Sequence, residues 1–286
     1  MHVASYNVRG RTSFGVVVGD GIVDLRPRLA PRYQSVLDLL RADALDEAQS
    51  VAAGVRADFA LSEAQLLPPV PGGEKILCIG VNYANRDAEL TTAGGNTEAK
   101  YPSMFFKPPN ALVGHNAPIL RPPESEQLEY EGEIALVIGR IGRRIPKDRA
   151  LDHVAGITMC NEGTIRDWIR HGRFNVTQGK SWDATGSIGP WMTTGVDLTK
   201  PLRITVKING EVTQDDTTDS MIFKFADILS YVSTFMTLKP GDIIATGTPV
   251  KLGKKPEERV WLKPGDVFEM TVPEIGTLRN VVQDEK

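Results

Sequence analysis

The sequence is poor in cysteine, has no long apolar run and carries no excess of basic charge. Its two cysteines, Cys78 and Cys160, are too few for a disulfide framework in 286 residues. Both sit in apolar surroundings, KILCIG and GITMC, and read as buried thiols. No apolar run approaches the ~20 residues that a membrane-spanning helix needs. Lys and Arg number 33 against 36 Asp and Glu, mixed along the chain, for a formal charge of −3. That excludes a basic nucleic-acid footprint and a basic amphipathic segment for a membrane surface. The first fourteen residues lack the apolar stretch of a secretory leader, so a cytoplasmic location is expected.

What is present is ordinary globular material, 41% hydrophobic and 24% charged, enough for a substantial core. The length suits one large domain, or one large and one small. Residues 1–70 read as a small α+β unit. Strands at 14–18 and 22–25 flank a Gly-Asp-Gly turn, and 35–42 and 45–55 have helical spacing. The Pro/Gly-dense stretch LPPVPGGE (67–74) marks a boundary, which assigns 71–286 to a second, larger domain. There the pattern turns to strands, at 75–79, 130–138, 154–160, 242–246 and 267–272. Asn209-Gly210 between alternating runs predicts a hairpin over 203–213. Residues 223–236 place Phe225, Ile228, Leu229, Val232 and Phe235 at helical spacing. KPGD at 239–242 and again at 263–266 reads as repeated turn chemistry, not as a duplication.

Chemistry is concentrated in the 130–138 strand. Residues i and i+2 of a strand share a face, so Glu131 and Glu133 project together, ahead of Ala135 and Val137. Gly132, Ile134, Leu136 and Ile138 take the other face. Beyond Glu133 both faces are apolar, so the strand enters the core. Two carboxylates at the mouth of a buried strand need a cation or a shared proton. A hard oxygen site suits Mg²⁺ or Mn²⁺, with Ca²⁺ as a further option. A lone Glu-x-Glu is as readily a solvated edge, so further residues are needed. Glu162 follows the 154–160 strand directly, where it serves as a third ligand or as a helix N-terminal carboxylate. Lys180 lies among small residues in QGKS, either in a site or on the surface. The 242–246 strand leaves through Thr246, a glycine and Thr248, a simple turn or a place for an anion to approach the backbone.

Taken together these segments resemble the fumarylacetoacetate hydrolase family. The matching stretches are GVNYA (80–84), FKP (106–108), YEGEIALVIG (130–139), NEGTIRDW (161–168), QGKS (178–181), GPW (189–191), NGE (209–211) and LKPGDIIATGTP (238–249). They run in the family's order from about residue 72 onward. The resemblance implies an α+β fold with a mixed β-roll or barrel-like catalytic domain behind a small N-terminal domain. It also implies a Mg²⁺ or Mn²⁺ ion and a homodimer. By position, Glu131, Glu133 and Glu162 match the metal ligands, the third usually being Asp. Lys180 matches a lysine that polarises the reacting carbonyl. Lys107 and Thr248 match substrate-contacting positions, and Arg166 with Asp167 matches an Arg-Asp pair of structural or substrate-binding role. Three carboxylates, one divalent ion and a chelated enolate leave the site negative, a balance that Lys180 and Lys107 are expected to redress.

The family's lid loop carries His and, three residues on, Glu, which together activate water. Here Arg86 stands at the His position and Glu89 at the Glu position. Arginine stays protonated and cannot act as a general base. Of the four histidines, His2, His115, His153 and His171, only His115 is a candidate substitute. Arg86 can instead clamp a distal carboxylate of a diacid. Residues 91–100 are expected to belong to a lid.

The resulting expectation is a metal-dependent hydrolase that splits a C–C bond of an acylpyruvate-like β-diketo acid, with Lys180 and Glu89 catalytic. A decarboxylase or isomerase of a 2-oxo or 2-hydroxy-dienoic diacid is the first alternative. A silent metal- and anion-binding protein is the second.

Overall fold

The computed structural model describes residues 1–84, 100–169, 171–172, 175–252 and 260–286. Arg86 and Glu89, with all of the expected 91–100 lid but Lys100, lie outside the described residues.

A large mixed sheet organises the molecule. In order, its strands are Phe59–Ala60, Gly21–Asp24, Arg11–Val18, His2–Val8, Gly186–Thr193, Val154–Asn161, Gly132–Ile138, Ile243–Ala245, Ile76–Ile79 and Met104–Phe106. Two short strands, Gln65–Leu66 and Leu112–Val113, branch from it. The sheet has two ends, so the barrel-like expectation resolves into an open, sheet-dominated α+β fold. The N-terminal strands belong to this same sheet, because His2 and Val3 pair with Thr193 and Met192. A second sheet orders Glu211–Thr217, Arg203–Ile208, Val267–Val272, Gly276–Asp284 and Ile119–Arg121.

The alternation read from the sequence is what packs the layers. Ile134, Leu136 and Ile138 enter the core shared with the second sheet (Val206, Met270) and with helix Phe225–Phe235. Ala135 and Val137 face the opposite core, with Val36, Leu39 and Leu40 of helix Val36–Arg41. Gly132 must be small: a Cβ there would lie 2.5 Å from Val206 Cγ2. In helix Phe225–Phe235, Phe225, Ile228, Leu229 and Val232 are buried, as their spacing requires. Phe235 instead stays exposed against the Tyr231 ring. It is the last residue of the helix and lies at the edge of the stripe, about 20° beyond Ile228.

The turns also follow their residues. Asn209 and Gly210 both take positive φ (52° and 84°) and close the Arg203–Thr217 hairpin. The two KPGD segments are the same turn, built twice. In each, the Lys backbone N–H donates to the Asp carboxylate (2.7 and 2.8 Å), and Gly takes φ of 90° or 91°. The strands His2–Val8, Gly186–Thr193 and Gly276–Asp284 add to those expected from the sequence. After Glu162 the chain forms the short strand Thr164–Ile165 and a single 3₁₀ turn, Arg166–Trp168. Glu162 therefore has no α-helix to cap.

Candidate metal centre and its cleft

Glu131 lies one residue before strand Gly132–Ile138, and Glu133 is the second residue of it. Strand Val154–Asn161 runs antiparallel alongside, pairing Asn161 with Gly132 and delivering Glu162 just past its end. Two hydrogen bonds lock the junction: Glu162 N–H donates to the Glu131 carbonyl (2.8 Å), and Glu131 N–H donates to Asn161 Oδ1 (2.9 Å). One oxygen from each of Glu131, Glu133 and Glu162 then falls within 4.8 Å of the others. The three residues are only 5%, 2% and 1% exposed. A buried all-carboxylate cluster of this size suits a hard divalent cation, Mg²⁺ or Mn²⁺, and has no soft donor that would select Zn²⁺.

Each carboxylate is also fixed from outside the cluster. Gly247 N–H donates to Glu133 Oε2 (2.9 Å), and Thr164 Oγ1 donates to Glu131 Oε2 (3.0 Å). Lys180 Nζ donates to both Glu131 and Glu162. It comes from the short helix Thr177–Lys180, and the Phe105 ring lies 5.1 Å from the ammonium. Lys107 Nζ is fully buried and donates to Glu162 Oε1 (3.0 Å), the Gly163 carbonyl (3.0 Å) and the Lys180 carbonyl (2.5 Å). An ammonium has three protons, so Lys107 is fully engaged inside the protein. Its contacts reach the site through Glu162 and the backbone of Lys180.

These surroundings set the charge states. Burial pushes the Glu133 carboxyl well above the ordinary range, and repulsion from Glu162 and Glu131 adds to the effect. Burial likewise pushes Glu162 up to about 7, against the pull of Lys180 and Lys107. Burial opposes the charge on Lys180, but Glu131 and Glu162 outweigh it and hold the ammonium above its usual value. The metal-free cluster therefore retains protons that a divalent cation would displace.

The cluster opens onto a cleft of ≈ 600 Å³. Its floor is Glu131, Glu133, Glu162 and Lys180. Met104, Phe105, Ile169 and Val176 form apolar walls, and Arg166, Asn175, Thr177 and Thr248 line it with polar groups. A larger cavity of ≈ 840 Å³ lies elsewhere, at Leu61, His115 and Trp191. Among the described residues the acidic cluster belongs to the smaller cleft, which is the candidate site.

Thr248 stands at the cleft with its hydroxyl accepting from Gln214 Nε2 (2.9 Å). Arg166 donates from Nε to Glu129 and from Nη2 to Glu131 (3.0 Å). Asp167, its neighbour in sequence, turns away and accepts from Ser125 Oγ (2.6 Å). His115 is remote from the cleft: its Nδ1 accepts from Arg279 N–H (3.1 Å). Burial, with Arg279 nearby, lowers His115 to about 4.

Several functional positions were given no role from the sequence, Asn82 of the GVNYA stretch among them. Asn82 ties the 80–84 loop to Thr246 and Phe223, donating from Nδ2 to the Thr246 carbonyl (2.7 Å) and accepting from Phe223 N–H (2.8 Å). Gln214 and Phe105 fall outside every stretch picked out by the reading. Glu129 and Lys251 join Arg166 in a buried ion network. The one available hint was Glu129 at i−2 from Glu131, on the same face of an extended chain.

The family model for the C-terminal domain of fumarylacetoacetate (FAA) hydrolase matches residues 75–283. The chain belongs to this family. It is 39% identical over 229 residues to oxaloacetate tautomerase YisK of Bacillus subtilis, covering 78% of this chain and 75% of that protein. Among solved structures it is similar to a 2-hydroxyhepta-2,4-diene-1,7-dioate isomerase from Mycobacterium marinum (TM-score 0.75, 27% identity, covering 100% of this chain and 99% of that one). It is also similar to a maleylpyruvate hydrolase from Sphingobium sp. SYK-6, solved with manganese(II) and pyruvate (TM-score 0.80, 25% identity, covering 100% of both chains). The family thus includes tautomerases, isomerases and hydrolases, and this chain is a family enzyme of that range. Among the described residues, no helix is long and apolar enough to cross a membrane.

Proposed function

We propose that this chain interconverts the keto and enol forms of a 2-oxo dicarboxylate of the oxaloacetate type, moving a proton between carbon and oxygen without activating water. The carrying observation is the make-up of the cleft. Its described lining offers carboxylates, one ammonium and one guanidinium, and none of the chain's four histidines is among it. His2 bonds Thr193, His115 accepts from Arg279, His153 bonds the Arg140 carbonyl and His171 packs on Trp168. The similarity to a tautomerase supports the same reading.

Glu131, Glu133 and Glu162 would hold a Mg²⁺ or Mn²⁺ ion, whose Lewis acidity would stabilise negative charge on a 2-oxo oxygen. Lys180, kept protonated by Glu131 and Glu162, donates from Nζ to the oxygen on which charge develops. Arg166 and Thr248 orient the carboxylates of the substrate. Glu89 is the proposed acceptor for the carbon-bound proton, with Arg86 clamping the distal carboxylate. Formal charge also favours a dianion. Lys107, Arg166, Lys180 and Lys251 balance Glu129, Glu131, Glu133 and Glu162, so a divalent ion leaves two positive charges for a dicarboxylate to neutralise.

The test follows enol absorbance after mixing the Mn²⁺-loaded enzyme with oxaloacetate, beside an acylpyruvate and a 2-hydroxymuconate-type dienol. Accelerated ketonisation of oxaloacetate, lost by at least ~100-fold in Lys180→Met, is expected. Turnover of the acylpyruvate alone would overturn the proposal and leave C–C hydrolysis, the second reading. That reading draws on the likeness to the maleylpyruvate hydrolase.

A further inference from the structure

Seven side chains, all buried except the half-buried Arg166, form a ladder of alternating charge: Lys251, Glu129, Arg166, Glu131, Lys180, Glu162 and Lys107. The last four belong to the centre already described. The first three reach it from outside. The Glu129 side chain is 2% exposed and divides its oxygens, Oε1 to Lys251 and Oε2 to Arg166. The Lys251 ammonium lies 4.5 Å from the centre of the Tyr130 ring, so its position is fixed by an aromatic face as well as by charge. Arg166 Nη2 is shared between Glu129 and Glu131 Oε1.

We infer that Glu129 is a positioning residue of the metal centre, whose work is to hold the Arg166 guanidinium partly off Glu131. The inference rests on the reading of Glu131, Glu133 and Glu162 as metal ligands. A guanidinium and a carboxylate form a strong two-pronged pair when nothing competes. Such a pair on Glu131 would occupy both of its oxygens and neutralise a ligand. Glu129 prevents this by accepting from Arg166 Nε, so only Nη2 reaches Glu131. Glu131 keeps its second oxygen toward the cluster, where Thr164 and Lys180 meet it. Lys251 opposes this effect, since it draws Glu129 away from Arg166.

The two ends of the network therefore predict different outcomes, weaker binding on loss of Glu129 and no weakening on loss of Lys251, which general loosening of a buried ion cluster would not produce. The measurement is Mn²⁺ affinity of the purified full chain, read directly by the loss of the free-ion electron spin resonance signal. Folding is checked by thermal melting. Glu129→Gln is expected to weaken Mn²⁺ binding at least tenfold, with Glu129→Asp recovering part of the loss. Lys251→Met is expected to bind Mn²⁺ as tightly as the parent or more tightly. If Glu129→Gln does not fold, the Lys251→Met result decides: tenfold weaker binding overturns the inference, and unchanged or tighter binding supports it. Binding by Glu129→Gln within twofold of the parent also overturns it. Failure of the parent itself to bind Mn²⁺ overturns the metal reading, and this inference with it.

Discussion

The backbone N–H of Gly247 points at Glu133 Oε2 from 2.9 Å. One loop, 246–249, thereby holds a candidate metal ligand by its main chain and offers Thr248 to the cleft by its side chain. Gly247 takes φ of +100°, and a Cβ there would fall 2.7 Å from Asn82 Cβ. Gly247→Ala is therefore expected to cost roughly 1–3 kcal/mol of stability and to weaken Mn²⁺ binding as the N–H swings away. Urea unfolding and titration with Mn²⁺ check both parts. A variant equal to the parent in both would remove this loop from the site.

Replacing Glu133 by Ala should remove the metal and the activity while the protein stays folded. The side chain faces the cluster, and the core packing of strand Gly132–Ile138 comes from Ile134, Leu136 and Ile138. Circular dichroism and metal analysis test the separation. Activity retained without Glu133 would overturn the metal assignment.

Metal affinity should depend on pH near neutrality. Burial raises Glu162 to about 7, so below that value the carboxyl is protonated in the metal-free chain. A divalent ion must displace that proton, so binding strengthens as pH rises through 7 and weakens below it by up to roughly tenfold per unit for this proton alone, with Glu133, also raised by burial, steepening the dependence. Calorimetry in buffers of different ionisation enthalpy should show proton release at pH 6.5. Binding independent of pH between 5.5 and 8 would contradict this.

His115 should make the fold acid-sensitive. Burial lowers it from the ordinary 6.5 to about 4, so the unfolded chain takes up this proton before the folded chain does. Stability is full above pH 6.5 and is lost as pH falls toward 4. His115→Gln can still accept from Arg279 N–H and should lose less stability over that interval. Equal losses, read from urea midpoints at pH 7 and 4.5, would show that other groups dominate.

Much of this was legible because it is local. Alternation on the Glu133 strand, glycine in the twin KPGD turns and Asn209-Gly210 each state their geometry within a few residues. The ordered stretches of family resemblance gave expected roles to Glu131, Glu133, Glu162 and Lys180, already candidates from their own segments, and the fold brings the four together. What stayed hidden depends on distant partners. Glu129 and Lys251 are 122 residues apart, and Asn82 reaches Thr246 across 164. Lys107 shows the limit at a single residue. Its position in the FKP stretch pointed to substrate, but its direction is set by three acceptors on two other segments.

The pairing of His2 with Thr193 also bears on how the chain is made. The first strand gains a neighbour on one side early, from Arg11–Val18. Its partner in the large sheet, Gly186–Thr193, is synthesised 191 positions later. Gln65–Leu66 covers the other edge of the first strand only at Tyr6 and Asn7, so until then the His2–Val3 stretch stays open on the ribosome, the kind of edge on which nascent chains mispair. The N-terminal strands thus join the large sheet by a long-range closure, and Ile243–Ala245, released later still, completes that sheet between Gly132–Ile138 and Ile76–Ile79.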